Sequence, residues 1–208
     1  MNRGAIILCG GKSSRMGRDK ATLPFGPEQM LERVVRLLSE VVPRERIVVV
    51  AADGQPLPAL AAEITVARDD RPERGPMEGL SAGLRAQVGR SDAVYATACD
   101  VPLLVPAFVE RMFERLAAHE IAVPRGAEFH HPLAAVYRTS VLALADRLLA
   151  GDRLRLRYLF DESDTCEVPV DDLREVDPGL ATLENLNFPE DYERTLRAAG
   201  FSGGSPGG

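Results

Sequence analysis

Three short, predominantly apolar runs, Ala5–Cys9, Ile47–Ala52 and Ala93–Cys99, set the first constraint on this chain. Each is brief, continuous and partly β-branched, the pattern of a parallel strand covered on both faces. Covering both faces of a sheet requires helices on both sides, and the intervening segments supply them. Between Pro27 and Val42, the residues Leu31, Val34, Val35, Leu38 and Val42 recur at three- and four-residue steps, which predicts an amphipathic helix with Pro27 in its first turn. A second helix is expected from Met77 to Val88, and a third from Pro106 to His119 with Phe108, Met112, Phe113 and Leu116 on one face. None of the apolar runs approaches the ~20 residues that cross a bilayer, so the pattern excludes a membrane span.

The rest of the chain continues the alternation. Ile64–Ala67, Ile121–Pro124, Leu133–Tyr137 and Cys166–Val170 read as further strands, and Ser140–Leu149, Leu154–Phe160 and Glu190–Ala199 as helices. The expectation is an α/β fold of three layers, a single domain over residues 1–201, and a flexible tail, Ser202–Gly208. A chain of 208 residues, 45% apolar and 27% charged, has ordinary globular composition and enough length for a sizeable core. Its three cysteines (Cys9, Cys99, Cys166) form no C-x-x-C pair. That excludes a disulfide scaffold, argues against zinc, and points with the lack of a signal-peptide pattern to a reducing, cytoplasmic setting.

A formal net charge of −6 argues against a nucleic-acid binder and against an anionic-membrane binder. The distribution of charge is more informative. Of 25 basic residues only two are lysines, Lys12 and Lys20, and both fall in the stretch Leu8–Lys20, L-C-G-G-K-S-S-R-M-G-R-D-K. Paired glycines directly after a strand let backbone N–H groups approach an anion. Lys12, Arg15, Arg18 and Lys20 stand there against a single acid, Asp19, as a polyphosphate would require. Gly11-Lys12-Ser13 imitates the end of a P-loop, but that pattern needs glycine where Ile6 stands, and no G-x-G-x-x-G follows for a dinucleotide. In open α/β sheets ligands collect at the carboxyl ends of strands. Asp100, at such an end before Val101-Pro102, is placed to hold Mg²⁺ beside phosphate oxygens.

Three weaker features remain. Gly75-Pro76-Met77-Glu78 opens a helix. His130-His131-Pro132 precedes a strand, where adjacent histidines point apart and suit a substrate contact better than a metal. Asn185 and Asn187 precede the last helix, where one is expected as its cap and the other within reach of ligand or metal.

Taken together, four blocks in order identify a family resemblance. L-C-G-G-K-S-S-R-M-G-R-D-K, G-P-M-E-G-L-S-A-G-L, A-C-D-V-P with H-P-L-A-A-V-Y, and N-L-N-F-P-E-D-Y resemble the molybdenum cofactor guanylyltransferases over residues 5 to 192. The resemblance implies a Rossmann-like α/β/α nucleotidyltransferase fold with a mixed, mostly parallel sheet. It implies transfer of GMP from GTP to molybdenum–molybdopterin, with Mg²⁺ as cofactor and molybdoenzymes or their chaperones as partners. By position, Leu8, Cys9 and Gly10 would meet guanine and ribose through the backbone. Gly11, Arg15 and Lys20 would hold the triphosphate, Asp69 would lie in the nucleotide pocket, and Asp100 would bind the metal. Arg15, Lys20 and Asp100 would be catalytic; His131, Asn185 and Asn187 are further candidates. Two positions depart from the family: Cys9 stands for an alanine, and Ala51 for an asparagine often found after the second strand. Cytidylyl- and sugar-phosphate nucleotidyltransferases share the glycine loop and are the alternative. A nucleotide-binding adaptor without turnover would be expected to lack Lys20 or Asp100, and both are present.

Overall fold

The computed structural model describes residues 1–10, 19–69 and 74–201. In chain order the elements are β1 (Arg3–Leu8), a small hairpin of β2 (Pro24–Phe25) and β3 (Glu28–Gln29), α1 (Met30–Leu38), β4 (Ile47–Ala52) and β5 (Thr65–Asp69). They continue with α2 (Pro76–Gln87), β6 (Ala93–Ala98), α3 (Pro106–Leu116), β7 (Ile121–Arg125) and β8 (Ala134–Arg138). The last four are α4 (Leu142–Ala150), α5 (Arg157–Glu162), β9 (Thr165–Pro169) and α6 (Pro189–Ala198). Seven strands form one sheet in the order β5-β4-β1-β6-β8-β7-β9. All neighbours are parallel except the two pairings of β8. The mixed, mostly parallel sheet expected from sequence is therefore present, with β8 as its reversed strand.

The alternating burial of β1 shows why continuous apolar runs were needed. Ala5, Ile7 and Cys9 pack into the core shared with α1 and α3, while Ile6 and Leu8 pack into the core beneath α2 and α4. Helix α2 lies close on β1 because of its glycines. A Cβ on Gly83 would stand 2.6 Å from the Ile6 side chain, and one on Gly79 would stand 3.2 Å from Leu8. The G-L-S-A-G-L block is thus a packing motif that seats this helix against the central strand.

One helix is shorter than its periodicity predicts. Pro27 does not start α1; it follows Gly26, at φ 65°, in the turn between β2 and β3. Gly26-Pro27 turn chemistry outweighs the helical period there. The helix ends at Leu38, although Val42 still packs into the same core through the following turns. The hairpin contributes Leu23, Phe25 and Met30 to a third, smaller cluster with Leu186, Tyr192 and Leu196, and so ties the carboxyl-terminal segment to the region after β1. The expected tail, 202–208, lies outside the described residues. Among the described residues no helix is long and apolar enough to cross a membrane.

Candidate active site

From β1 the chain moves outward to β4 and β5, then returns to β6 on the other side. The carboxyl ends of β1 and β6 therefore flank a switch point, where neighbouring connections leave in opposite directions and open a crevice. The strand ladder runs past both ends: Cys9 N–H donates to the Val50 carbonyl at 2.8 Å, and Cys99 N–H donates to the Leu8 carbonyl at 3.1 Å. Asp100 comes one residue later and is buried.

Lys20 reaches this aspartate. Its Nζ donates to Asp100 Oδ2 at 2.7 Å and to Asn187 Oδ1 at 3.1 Å. The two charged side chains are only 17% and 12% exposed, so solvent screens the pair far less than a surface ion pair. Three distant parts of the chain are thus joined on one ammonium group. Lys20 is placed by Asp19, whose Oδ1 accepts from Ala21 N–H at 2.9 Å and so caps the 3₁₀ turn Lys20–Thr22. Asn187 is placed by the Asp100 carbonyl, which accepts from Leu186 N–H at 2.9 Å.

Among the described residues Asp100 Oδ1 is buried without a hydrogen-bond partner. An orphaned carboxylate oxygen is costly unless a ligand completes it. Among the described residues no group of three His, Cys, Asp or Glu forms a metal cluster. The donor set therefore fits a hard cation that takes one carboxylate here and its other ligands from phosphate and water, as Mg²⁺ prefers.

Beside this centre lies a cavity of about 210 Å³ lined by His130, His131, Pro132, Leu133, Thr182 and Asn185, among others. One of its lining residues, Ala134 at the start of β8, pairs with Thr97 of β6, the strand that leads to Asp100. Its lining residue Thr182 is held by buried Asp177, whose two oxygens accept from Ala181 and Thr182 N–H, each at 2.9 Å. The two histidines diverge as expected. His130 Nε2 is 2.6 Å from Glu167 Oε1 and packs on Phe160, whereas His131 packs on Phe129. Burial, and then the neighbouring His130, push the His131 pKa below its ordinary value.

Neither asparagine caps the last helix with its side chain. Asp191 reaches back instead, its Oδ2 accepting from Phe188 N–H at 3.1 Å, which leaves Asn187 free for Lys20 and Asn185 for the cavity. Leu8, Cys9 and Gly10 lie at the end of β1 as expected. The N–H of Cys9 is committed to β4, and Gly10 is exposed, with the Ala52 backbone nitrogen 3.9 Å from where a Cβ would stand. The Cys9 thiol is raised well above its ordinary pKa by its hydrogen bond to Cys99 and by burial, and so stays neutral. Gly11, Lys12, Arg15 and Arg18 lie outside the described residues, and Asp69 is described only through its backbone at the end of β5. One participant gave no motif: Gln55, just past β4, bonds to both Cys9 and Asp19. The available signal was a long amide side chain directly after the Asp53-Gly54 turn, at a carboxyl strand end.

The MobA-like NTP transferase domain family matches residues 5–166. The chain belongs to this family. A probable molybdenum cofactor guanylyltransferase of Mycobacterium avium is 39% identical over 205 residues, covering 95% of this chain and 97% of that protein. Among solved structures, molybdopterin-guanine dinucleotide biosynthesis protein A of Archaeoglobus fulgidus matches with a TM-score of 0.77 at 21% identity, over 96% of this chain and 99% of that one. The 2-C-methyl-D-erythritol 4-phosphate cytidylyltransferase of Thermus thermophilus shares the fold, with a TM-score of 0.68 at 14% identity over 94% and 98% of the two chains. In this MobA-like chain the family's nucleotidyltransferase fold therefore carries a lysine–aspartate centre with a cavity alongside.

Proposed function

We propose that this MobA-like chain transfers GMP from GTP to molybdenum–molybdopterin, releasing pyrophosphate and forming molybdopterin guanine dinucleotide. The observation that carries the proposal is the sheltered Lys20–Asp100 contact at the switch point, with Asp100 Oδ1 left open. Strand end β1, through Leu8, Cys9 and Gly10, faces the nucleoside, with Asp69 in the same pocket. Gly11, Arg15 and Lys20 hold the triphosphate. The cavity lined by His131 and Asn185 receives the acceptor pterin, and Asn187 sits at the seam between the two substrates. Residues 1–201 act in this reading as one domain, in the cytoplasm, in keeping with three unpaired cysteines.

The attacking group is the terminal phosphate of the pterin, already anionic at neutral pH, so no side chain has to remove a proton. Catalysis then rests on alignment and charge neutralisation. Asp100 Oδ1 would hold Mg²⁺, which when bound polarises the α-phosphate. Lys20 swings between two partners of like kind: in the free protein it neutralises Asp100, and with substrate bound its ammonium can share itself with the departing pyrophosphate. Asn187, bonded to the same ammonium, holds it over the crevice.

Pyrophosphate release with GTP and molybdenum–molybdopterin as substrates tests the reading, together with thermal stabilisation by GTP·Mg²⁺ against CTP·Mg²⁺. Release with GTP and preferential stabilisation by GTP are expected. Preference for CTP would assign the chain to the cytidylyl branch, and binding without release would make it an adaptor.

A further inference from the structure

We infer that Gln55 is a positioning residue for the donor nucleotide, its single side-chain amide fixing the Cys9 carbonyl and the Asp19 carboxylate against the exit of β4. The inference rests on the GTP-site reading above. Gln55 Nε2 donates to the Cys9 carbonyl at 2.9 Å and to Asp19 Oδ2 at 2.8 Å, while Oε1 accepts from Ala52 N–H at 3.0 Å. Both amide protons and the carbonyl oxygen are therefore engaged, each by a different segment. The bond to Asp19 is charge-assisted and the stronger of the two donations.

Asp19 has two oxygens and divides them. Oδ2 takes the Gln55 amide, and Oδ1 caps the turn that begins with Lys20. A continuous line of hydrogen bonds thus runs from β4 through Gln55 and Asp19 to the turn that presents Lys20 to Asp100. At its other proton Gln55 holds the carbonyl of Cys9, next to the exposed Gly10 backbone. One side chain consequently sets both the end of β1 and the base of the lysine, although it is distant from both in sequence.

The chemistry of the position is selective. Only an amide of this reach presents two donors toward a carbonyl and a carboxylate while accepting from a backbone N–H. Methionine has similar length and fills the space without donating. Glutamate can accept from Ala52 but places a second carboxylate against Asp19.

Titration calorimetry of the full chain with GTP·Mg²⁺ tests this, using wild type, Gln55→Met and Gln55→Glu, each with its thermal midpoint recorded. Gln55→Met should raise Kd roughly 10-fold at unchanged stoichiometry, as expected for losing a hydrogen bond to a charged group. Gln55→Glu should raise it further. A merely structural role lowers the competent fraction, so stoichiometry falls while Kd holds; that result would overturn the inference, as would full affinity in Gln55→Met. Should either variant be unfolded by its thermal midpoint, the other decides by the same criterion. Loss of folding in both assigns Gln55 to the fold and overturns the inference. Absence of GTP binding by the wild type overturns the nucleotide reading and this inference with it. Binding by wild type with unchanged Kd in both variants overturns the inference alone.

Discussion

The two rims of the crevice are built on different principles. On the β1–β4 side, polar groups are tied to one another by short bonds: Gln55 to Cys9 and Asp19, Asp19 to the Lys20 turn, Lys20 to Asp100. On the β8 side, the cavity wall is Pro132, Leu133 and Leu183 with a few polar groups among them, and among the described residues no lysine or arginine lines it. The first rim suits a highly charged ligand held by fixed dipoles and an ammonium. The second suits a flat, less charged body read by few hydrogen bonds. Asp100 and Asn187 stand where the rims meet, which is where a transfer between two substrates has to occur.

The sharpest way to break that contrast is to remove the residue at the seam. Asp100→Ala is expected to abolish turnover, a loss of at least ~10³-fold, because the group offered to the metal and the counter-charge of Lys20 vanish together. The fold should survive, since the Asp100 carbonyl keeps its bond from Leu186 N–H when the side chain is removed. Pyrophosphate release and a circular dichroism melt check both halves. Near-normal release in Mg²⁺ would end the metal assignment.

Lys20→Ala tests the charged rim alone. The rate should fall roughly 100-fold or more, with the acceptor KM little changed. Lys20→Arg should not restore it, because a planar guanidinium cannot replace a compact ammonium between Asp100 and Asn187. Steady-state kinetics with each substrate varied in turn give the answer. An equal rise in both KM values would erase the distinction between the rims.

Asn185→Ala is the matching change on the other side. Losing one neutral hydrogen-bonding group from the cavity should raise the acceptor KM by about 10-fold while leaving the GTP Kd within about twofold. A shift in GTP affinity instead would place the nucleotide, not the pterin, in the cavity.

The contrast between the rims also explains what sequence alone conveyed. The central strands were legible because burial on both faces forces unbroken apolar runs, as in Ile47–Ala52. Lys20 and Asp100 were legible because each sits in a motif directly after such a run. The hairpin was not, because β2 and β3 are two residues each and the expected helix starts at Pro27, inside their turn. Gln55 was invisible for a different reason. It acts through hydrogen bonds to Cys9 and Asp19 on another segment, and nothing in a local pattern records which segment that is. The cap of α6 fell between these cases: Asn187 has capping chemistry but stands one residue before the N-cap Phe188, and the charged Asp191 reaches back from the first turn to the N–H groups of Asn187 and Phe188.

The smallest expected effect is a titration. His131 faces the cavity beside His130, whose own Nε2 is engaged by Glu167. Burial disfavours its charged form and the second imidazole adds to that, so its midpoint should lie below the ordinary 6.5. Nuclear magnetic resonance titration of the His131 ring measures this directly. The sign for stability follows from linkage. As pH falls through the ordinary histidine range, unfolded chains take up a proton at this residue before folded ones do. Its contribution is therefore fully present above that range, declines as pH drops through it, and levels off below the folded midpoint. Urea melts of wild type and His131→Gln between pH 5 and 8 should differ in slope in that window. A pterin bound through a neutral imidazole should also depress the midpoint further, whereas GTP·Mg²⁺, held at the opposite rim, should leave it where it is. If GTP·Mg²⁺ moves it as much as the pterin does, the two rims form one pocket, and the division of labour between them is lost.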